Sequence, residues 1–246
     1  MATDDIRWES HQAPNCLILT PRGELDSRTY RTFRNDLVRF ALDQPDALIV
    51  VVDQLRIGST GSLAAFSSAW MQISEWPGVP ILLVAEQAEL RAMLDGSAIA
   101  RYLPVHSSLR AAVAGLRDPP LRRRSEIELV PVASNSRLAR VFVHRTCTEW
   151  NVNCHLPEAV EVATELVENS IIHARTDLRL RLELHYDRLA VAVRDGSPRE
   201  AVLRERVRGP ASGLRLVAEL ATVWGRAPDL GGGKVVWAVL TTHRRP

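Results

Sequence analysis

Two polar side chains in the second half of the chain have the types and the spacing that a magnesium–phosphate site needs. Glu165 and Asn169 are four residues apart in a segment that reads as a long helix, so both side chains project from one face. An amide oxygen can bind a hard cation, while a carboxylate can orient or deprotonate an attacking hydroxyl group. The same spacing also occurs in pairs that only face solvent, so a solvated surface pair is the alternative.

The motifs around this pair resemble the GHKL (Bergerat-fold) ATPases, and they are most similar to the anti-sigma-factor serine kinase branch. Residues 165–174 read E-x-x-x-N-x-x-x-H-A, which is the N-box pattern of that branch. Asp195 follows a strand candidate, Gly213-Leu214 opens a helix, and Gly233 precedes the last strand, in the order that the family shows. The resemblance covers residues 127–242.

The resemblance implies ATP and Mg²⁺ as cofactors and gives each motif a role. Glu165 would be the catalytic base, Asn169 would bind Mg²⁺ through the nucleotide, and Asp195 would accept a hydrogen bond from the adenine amino group. Gly213 and Leu214 would open the helix after the ATP lid, where N-terminal amides face phosphate. Gly233 would belong to the final glycine box.

The chain departs from the family pattern at two places near the nucleotide. The family's D-x-G-x-G reads Asp195-Gly196-Ser197-Pro198-Arg199 here, so both later glycines are lost. The first glycine of the lid falls on Ala211. A nucleotide-free relic of the fold is therefore the alternative.

Three hydroxyl side chains in the first half stand at the start of another predicted helix. Ser59, Thr60 and Ser62 lie ahead of a helix that runs through Leu63 and Trp70. A helix N-terminus stabilises an added phosphate by about 0.3–1 kcal/mol, so each of the three hydroxyls is a candidate phosphoacceptor. Simple N-capping by the same hydroxyls is the alternative.

The first half resembles STAS domains, the fold of anti-sigma-factor antagonists. Gly23-Glu24-Leu25-Asp26 matches the G-E-L-D of that family at a strand end, and Ala47–Asp53 matches the buried strand before the phosphorylation loop. The loop reads G-S-T-G-S-L over residues 58–63, where the family has D-S-S-G-L. Alignment on Leu63 puts Gly61 at the phosphoacceptor, and a one-residue gap puts Thr60 there. The resemblance covers residues 7–116.

The elements that must position these groups show clear periodicities. The unbroken apolar runs Ala47–Val52 and Val79–Ala85 predict strands that are covered on both faces. Residues 178–185 alternate leucine with charged or polar residues, which predicts an antiparallel strand with one face in water. The segment 117–125 holds two prolines and four arginines and is typical of a solvated linker.

These patterns predict an α/β (α+β) protein of two domains. We expect a STAS-like α/β domain over residues 1–116, a linker over 117–125 and a GHKL-type ATP-binding domain over 126–246. The second domain should be an α/β sandwich with helices on one face of a mixed sheet.

Composition excludes several classes of protein. The net charge of +2 is spread over mixed positive and negative residues, which argues against a direct nucleic-acid partner. No apolar run approaches the roughly 18–20 residues of a membrane span, and the polar start MATDDIRWES does not predict a signal peptide. Cys16, Cys147 and Cys154 have no disulfide or zinc spacing, as expected in the cytoplasm.

The favoured function is regulation through protein partners. The C-terminal domain would bind Mg·ATP and either sequester a sigma-like factor or phosphorylate a Ser/Thr of a STAS-type antagonist. The alternative is a non-catalytic scaffold with degenerate nucleotide and phosphoacceptor sites. A homodimer is left open.

Overall fold

The computed structural model describes residues 5–14, 16–116, 122–198, 213–229 and 231–241. The chain divides by its internal contacts into two units, Met1–Pro119 and Pro120–Pro246. None of the helices in the described ranges is long and apolar enough to cross a membrane. Helices and sheets occur in both units, which confirms the predicted α/β fold class.

Strands and helices alternate along the first unit. In chain order its elements are β1 (Arg7–Ala13), β2 (Cys16–Leu25), α1 (Tyr30–Leu42), β3 (Leu48–Val51), β4 (Leu55–Ile57), a 3-10 turn (Thr60–Leu63), α2 (Ala64–Glu75), β5 (Ile81–Val84), α3 (Ala88–Asp95), a second 3-10 turn (Ala98–Arg101), β6 (Val105–His106) and α4 (Leu109–Ala114). The sheet has the order β1-β2-β3-β5-β6, with β4 beside the end of β2. β1 is antiparallel to β2, and the other pairs are parallel.

The central strands of this sheet are covered on both faces, as their continuous apolar runs predict. Ile49 of β3 and Val84 of β5 pack with Ala112 of α4 on one side. Helices α1 and α2 pack against each other, and their fully buried Phe33 and Phe66 have ring centroids 4.8 Å apart. Neither face of β3 therefore needs polar side chains.

The second unit is a sheet with helices on one face. Its elements are β7 (Arg122–Leu129), α5 (Asn135–Trp150), a 3-10 turn (Asn153–His155), α6 (Leu156–His173), β8 (Leu178–His185), β9 (Arg188–Asp195), α7 (Leu214–Leu220), β10 (Val223–Pro228) and β11 (Lys234–Thr241). The strand order is β10-β11-β9-β8-β7. Apolar side chains of α5, α6 and α7 share one buried cluster with those of β8, β9 and β11.

Each ladder of this sheet in the described residues is antiparallel, whereas a mixed sheet was predicted. The connections explain the difference. Between β7 and β8 the chain forms two packed helices, α5 and α6, and each of them crosses the sheet once. Two crossings return the chain to the end at which β7 stops, so β8 must run back along it.

The predicted linker over 117–125 is wrong for its last four residues. Arg122, Arg123, Arg124 and Ser125 belong to β7 and pair with residues 182–185 of β8, while residues 117–121 lie outside the described residues. Because β7 is at the end of the strand order, it needs only one neighbour, and charged side chains are common on such edges. The arginine run suits this position although it could not fill a core.

The leucines of β8 confirm the predicted alternation. Leu178, Leu180 and Leu182 are buried against the helices. On the other face Arg179 donates to Glu128 of β7 at 2.7 Å, and Arg181 donates to Glu126 at 3.1 Å. The charged face of β8 thus pairs across the strands with the charged face of β7.

We expect truncation of Phe33 to test the core of the first unit. Phe33 is fully buried and stacks on Trp8 at 5.0 Å, so Phe33→Ala should lower the free energy of unfolding by about 3–5 kcal/mol. Urea unfolding followed by tryptophan fluorescence measures this loss. Met71→Ala on α2 is the control, because Met71 is 63% exposed and its loss should change stability by no more than about 0.5 kcal/mol. Equal stability of the two variants would contradict this account of the core.

Candidate functional site

Helix α6 carries the first group of predicted site residues. Pro157 and the acidic Glu158 lie in its first turn, where the proline ring and a negative charge are both favourable. Ala159, Val162, Ala163, Leu166 and Val167 form its buried stripe against the sheet. Glu165 and Asn169 lie at the margin of this stripe and are half-buried, and Ser170 is fully buried.

The Glu165 carboxylate contacts the start of α7. Its Oε2 accepts a hydrogen bond of 2.8 Å from the backbone N–H of Gly213. Gly213 has a φ of +78°, a left-handed conformation that glycine adopts without steric cost, and it is the N-cap residue of α7. The two predicted site residues therefore lie together, and the contact they make anchors α7 to α6.

Burial raises the pKa of Glu165 above the ordinary value of a glutamate. The N–H of Gly213 opposes this rise, and the nearby acidic Glu168 and Glu161 add to it. A glutamate with a raised pKa holds a proton more readily than an exposed one.

Asp195 lies at the end of β9 and is enclosed by groups of the chain itself. Its side chain has no exposed surface, and its Oδ1 accepts a bond of 2.7 Å from the Lys234 ammonium group. The backbone N–H of Ser197 donates to the same oxygen at 3.0 Å. The Ser170 hydroxyl donates to Oδ2 at 3.0 Å. Both carboxylate oxygens are thus in use.

Gly233 lies where β9 and β11 approach most closely. A Cβ atom built on Gly233 would lie 1.9 Å from the carbonyl oxygen of Asp195, which no side chain could tolerate. The next residue, Lys234, is the register partner of Asp195. Packing between the strands therefore requires the glycine at this position, independently of any ligand.

The two remaining predicted residues have different positions. Leu214 is a core residue, because its side chain is buried in the cluster under the sheet. Only its backbone could face a ligand. Asn169 is half-buried and lies directly before Ser170 on α6. In the described part of the chain no group of three or more His, Cys, Asp or Glu side chains could hold a metal ion.

Asp195 as placed here does not fit an adenine amino group. Such a group is a donor and needs a free, reachable acceptor oxygen, whereas the Asp195 side chain is sealed and accepts three bonds from within the chain. Lys234 and Ser170, whose side chains cause this, are not among the residues that the motifs predict for the site. A signal for Lys234 was available, because it is the single lysine among 246 residues.

A cavity of about 410 Å³ opens at the ends of β7, β8 and β9, and Asp195 and Gly233 are among the residues that line it. The Asp195 side chain has no exposed surface even so. Arg194 and Asp229 line it with their charged groups 3.3 Å apart, and Arg179 and Glu128 line it as a second ion pair. These four charged side chains of the lining therefore form two ion pairs.

The candidate phosphoacceptor loop lies between β4 and α2 in the first unit. Ser59 is extended, and Thr60 begins the 3-10 turn that leads into α2. Both residues are exposed. Ser62 is buried, and its Oγ lies 3.0 Å from the Oγ of Ser59. Of the three predicted hydroxyls, Ser59 and Thr60 are the ones that a partner can reach.

The predicted strand-end motif Gly23–Asp26 lies directly beside this loop. β2 and β4 are parallel, and the N–H of Gly58 donates to the carbonyl oxygen of Leu25 at 3.0 Å. A Cβ on Gly58 would lie 3.1 Å from the Glu24 carboxylate and 3.2 Å from Cβ of Asp26. Two acidic residues therefore flank the start of the loop.

The Asp26 carboxylate orders the turn before α1. It accepts bonds from the backbone N–H groups of Thr29 at 3.0 Å and Arg28 at 2.9 Å. The Thr29 bond, followed by the bond from the Arg28 side chain, lowers the pKa of Asp26 to about 2. The Asp26 carboxylate is therefore ionised at physiological pH, and the Arg28 guanidinium group pairs with it at 2.9 Å.

We expect Glu165→Gln to alter the pH dependence of stability. The folded-state pKa of Glu165 is raised, so its protonation favours folding, and this contribution is lost as the pH rises through the folded value. The glutamine oxygen can still accept from Gly213 but does not titrate. Urea unfolding between about pH 4 and pH 7 should show the wild type losing stability relative to the variant as the pH rises. Parallel curves would contradict the raised pKa.

Comparison with known proteins identifies the first unit. The STAS domain model matches residues 7–112. A search of curated proteins finds no match. Among solved structures, an anti-sigma factor antagonist from Mycobacterium paratuberculosis is 19% identical, with 48% of this chain and 98% of that chain covered and a TM-score of 0.38.

Two further solved structures are similar at the same level. The RsbU and RsbW domains of Rv1364c from Mycobacterium tuberculosis are 16% identical, with 51% of this chain and 33% of that chain covered and a TM-score of 0.38. The Bacillus cell fate determinant SpoIIAA in its phosphorylated form is 14% identical, with 45% and 100% covered and a TM-score of 0.32. Since the family model matches them, residues 7–112 are a STAS domain.

Proposed function

We propose that this chain is a regulatory protein that exchanges protein partners through the loop of its STAS domain. The observation that carries the proposal is the exposure of Ser59 and Thr60 at the start of α2, within a domain that matches the STAS family. STAS domains are the fold of anti-sigma-factor antagonists, so the partners would be proteins of an anti-sigma-factor switch.

Phosphorylation of this loop would change the surface that a partner meets. A phosphate adds about −1.5 to −2 charges at neutral pH. At Ser59 or Thr60 this charge would lie close to the acidic Glu24 and Asp26, which flank Gly58. Arg28 and Arg56 pair with these two carboxylates, so the phosphate would add negative charge that they offset only in part. A partner with a basic surface would then be favoured over one that binds the unmodified loop.

For the second unit we favour the scaffold over the kinase. Its resemblance to the anti-sigma-factor kinases of the GHKL family stays a prediction, together with Mg·ATP as cofactor. The sealed carboxylate of Asp195 supports a unit that works through protein contacts without a nucleotide.

Exposed apolar side chains on α5 also support a scaffold. Leu138 and Val141 are 50% and 59% exposed and are one helical turn apart. Val130 and Val132, just before the helix, are also exposed. Clustered apolar side chains on a surface commonly mark a site of protein contact. A sigma-like factor is the partner that the resemblance implies for this unit.

ATP-dependent kinase activity is the second candidate, and one observation favours it. Glu165, the predicted base, has a raised pKa and lies against Gly213, the predicted start of the helix after the lid. A carboxylate with a raised pKa is a stronger base than an ordinary glutamate.

The loop proposal predicts where phosphate is found. In protein purified from its natural host, peptide mass spectrometry should detect phosphate on Ser59 or Thr60 and not on the buried Ser62. The double variant S59A/T60A should carry no phosphate in the loop, and the matched control S62A should keep it. Phosphate confined to Ser62 would contradict the proposal.

A transfer assay separates the scaffold from the kinase. We expect purified full-length chain, incubated with Mg·ATP labelled in the γ-phosphate, to label neither itself nor a purified STAS-type antagonist. If transfer does occur and Glu165→Ala lowers its rate by about 10²–10⁴-fold, Glu165 is a general base and the scaffold proposal is wrong.

A further inference from the structure

Lys234 is the single lysine of the chain, and it is buried. The other 30 of the 31 basic Lys and Arg residues are arginines. The Lys234 side chain is 8% exposed and begins β11 beside the end of β9. A lysine carries its charge as a compact ammonium group on a flexible stem, whereas an arginine carries a broad planar one. The position at Asp195 therefore takes a lysine in a chain that uses arginine everywhere else.

The ammonium group of Lys234 makes two contacts at the end of β9. It donates to Oδ1 of Asp195 at 2.7 Å and to the backbone oxygen of Ser197 at 3.4 Å. The second oxygen of Asp195 accepts from Ser170. Lys234 thus connects the last strand, the end of β9 and the turn after it, and through Asp195 it reaches α6.

We propose that the Lys234 ammonium group permanently fills the position beside Asp195 that the amino group of an adenine would need. The second unit then folds with its carboxylate satisfied and does not take adenine nucleotides. The sequence around Asp195 resembles a nucleotide site, but the group that binds Asp195 is the side chain of Lys234.

The strengths of the competing bonds favour the lysine. A hydrogen bond between two charged groups is about twice as strong as one between neutral groups, and an adenine amino group is a neutral donor. To reach Asp195 the nucleotide would have to displace Lys234 and leave a buried ammonium group without its carboxylate. An adenine therefore cannot compensate for what its entry removes.

The single lysine allows a direct test of the pair in the unmodified full-length chain. The chain offers an acetylating reagent two amines, Lys234 and the α-amino group, and peptide mass spectrometry separates them from each other and from any acetylated hydroxyl group. We expect Lys234 to react about 100-fold more slowly in the native protein than in guanidinium chloride, because reaction requires local opening. Mg·ATP at about 1 mM should leave the native rate unchanged, as expected of a ligand that does not bind. Fast native labelling, or acceleration by Mg·ATP, would overturn the proposal.

Substitution of Lys234 tests the exclusion of adenine. Calorimetric titration of the wild type with Mg·ATP should show no saturable binding up to about 1 mM. Lys234→Thr removes the ammonium group and opens space at Asp195, so it should bind Mg·ATP at least about tenfold more tightly than the wild type. The double variant D195N/K234T should lose this gain. The control R145T removes an exposed cation of α5 and should behave as the wild type does.

The outcomes that overturn the proposal are wild-type binding in the micromolar range, and a folded K234T variant that gains no affinity. The labelling and the wild-type titration need no variant, so they decide the question if K234T does not fold. Phosphate mapping of the Ser59–Thr60 loop is independent of both, so failure of this inference is distinguishable from failure of the proposed function.

Discussion

A carboxylate that is buried away from water needs hydrogen-bond donors from the protein. At Asp195 these donors come from three separate parts of the second unit. The ammonium group of Lys234, the hydroxyl of Ser170 and the N–H of Ser197 supply them. These groups belong to β11, α6 and the turn after β9, so satisfying one charge connects three parts of the unit. Removing one partner from such a pair typically costs about 3–5 kcal/mol, because the remaining charge stays buried. The pair therefore constrains the strand register and the position of α6 together.

The same end of the unit shows how residues typical of a ligand site can serve the fold. Glu165 caps the start of α7 through Gly213. Gly233 allows β9 and β11 to approach, since a Cβ would collide with Asp195. Glycine is common in phosphate-binding loops because, without a side chain, it lets the backbone approach the ligand. The same property allows tight turns and closely packed strands, so a glycine motif alone does not distinguish the two uses.

In the STAS domain the candidate site residues Ser59 and Thr60 are exposed, unlike the buried Asp195 of the second unit. They lie above a packed apolar core. Phe33 and Phe66 fix α1 against α2, and α2 in turn fixes the loop that precedes it. Ser59 and Thr60 remain exposed there while Ser62 is buried. The adjacent Asp26 stays charged, since its pKa is about 2. The exposed hydroxyls of Ser59 and Thr60 therefore lie on a packed domain, beside a carboxylate that stays ionised.

The sequence by itself determined the elements and the first domain, because hydrophobic periodicity is a local property. The apolar run Ala47–Val52 and the alternating leucines of β8 predict strands wherever they occur in a chain. The STAS domain was predicted from a different local feature, the resemblance of short motifs such as Gly23–Asp26 to those of the family. Which hydroxyls of its predicted loop are exposed was decided only by the turn into α2, which buries Ser62.

Which partners the charged residues have was decided only by the tertiary structure. Arg122–Ser125 reads as a linker, yet it pairs with β8, since an edge strand needs backbone partners and not apolar side chains. Asp195 and Lys234 are 39 residues apart, and they meet only because β9 and β11 are antiparallel in a particular register. A motif reports the residue types at a site. It does not report which distant side chain the folded chain brings to them, and here that side chain is a lysine.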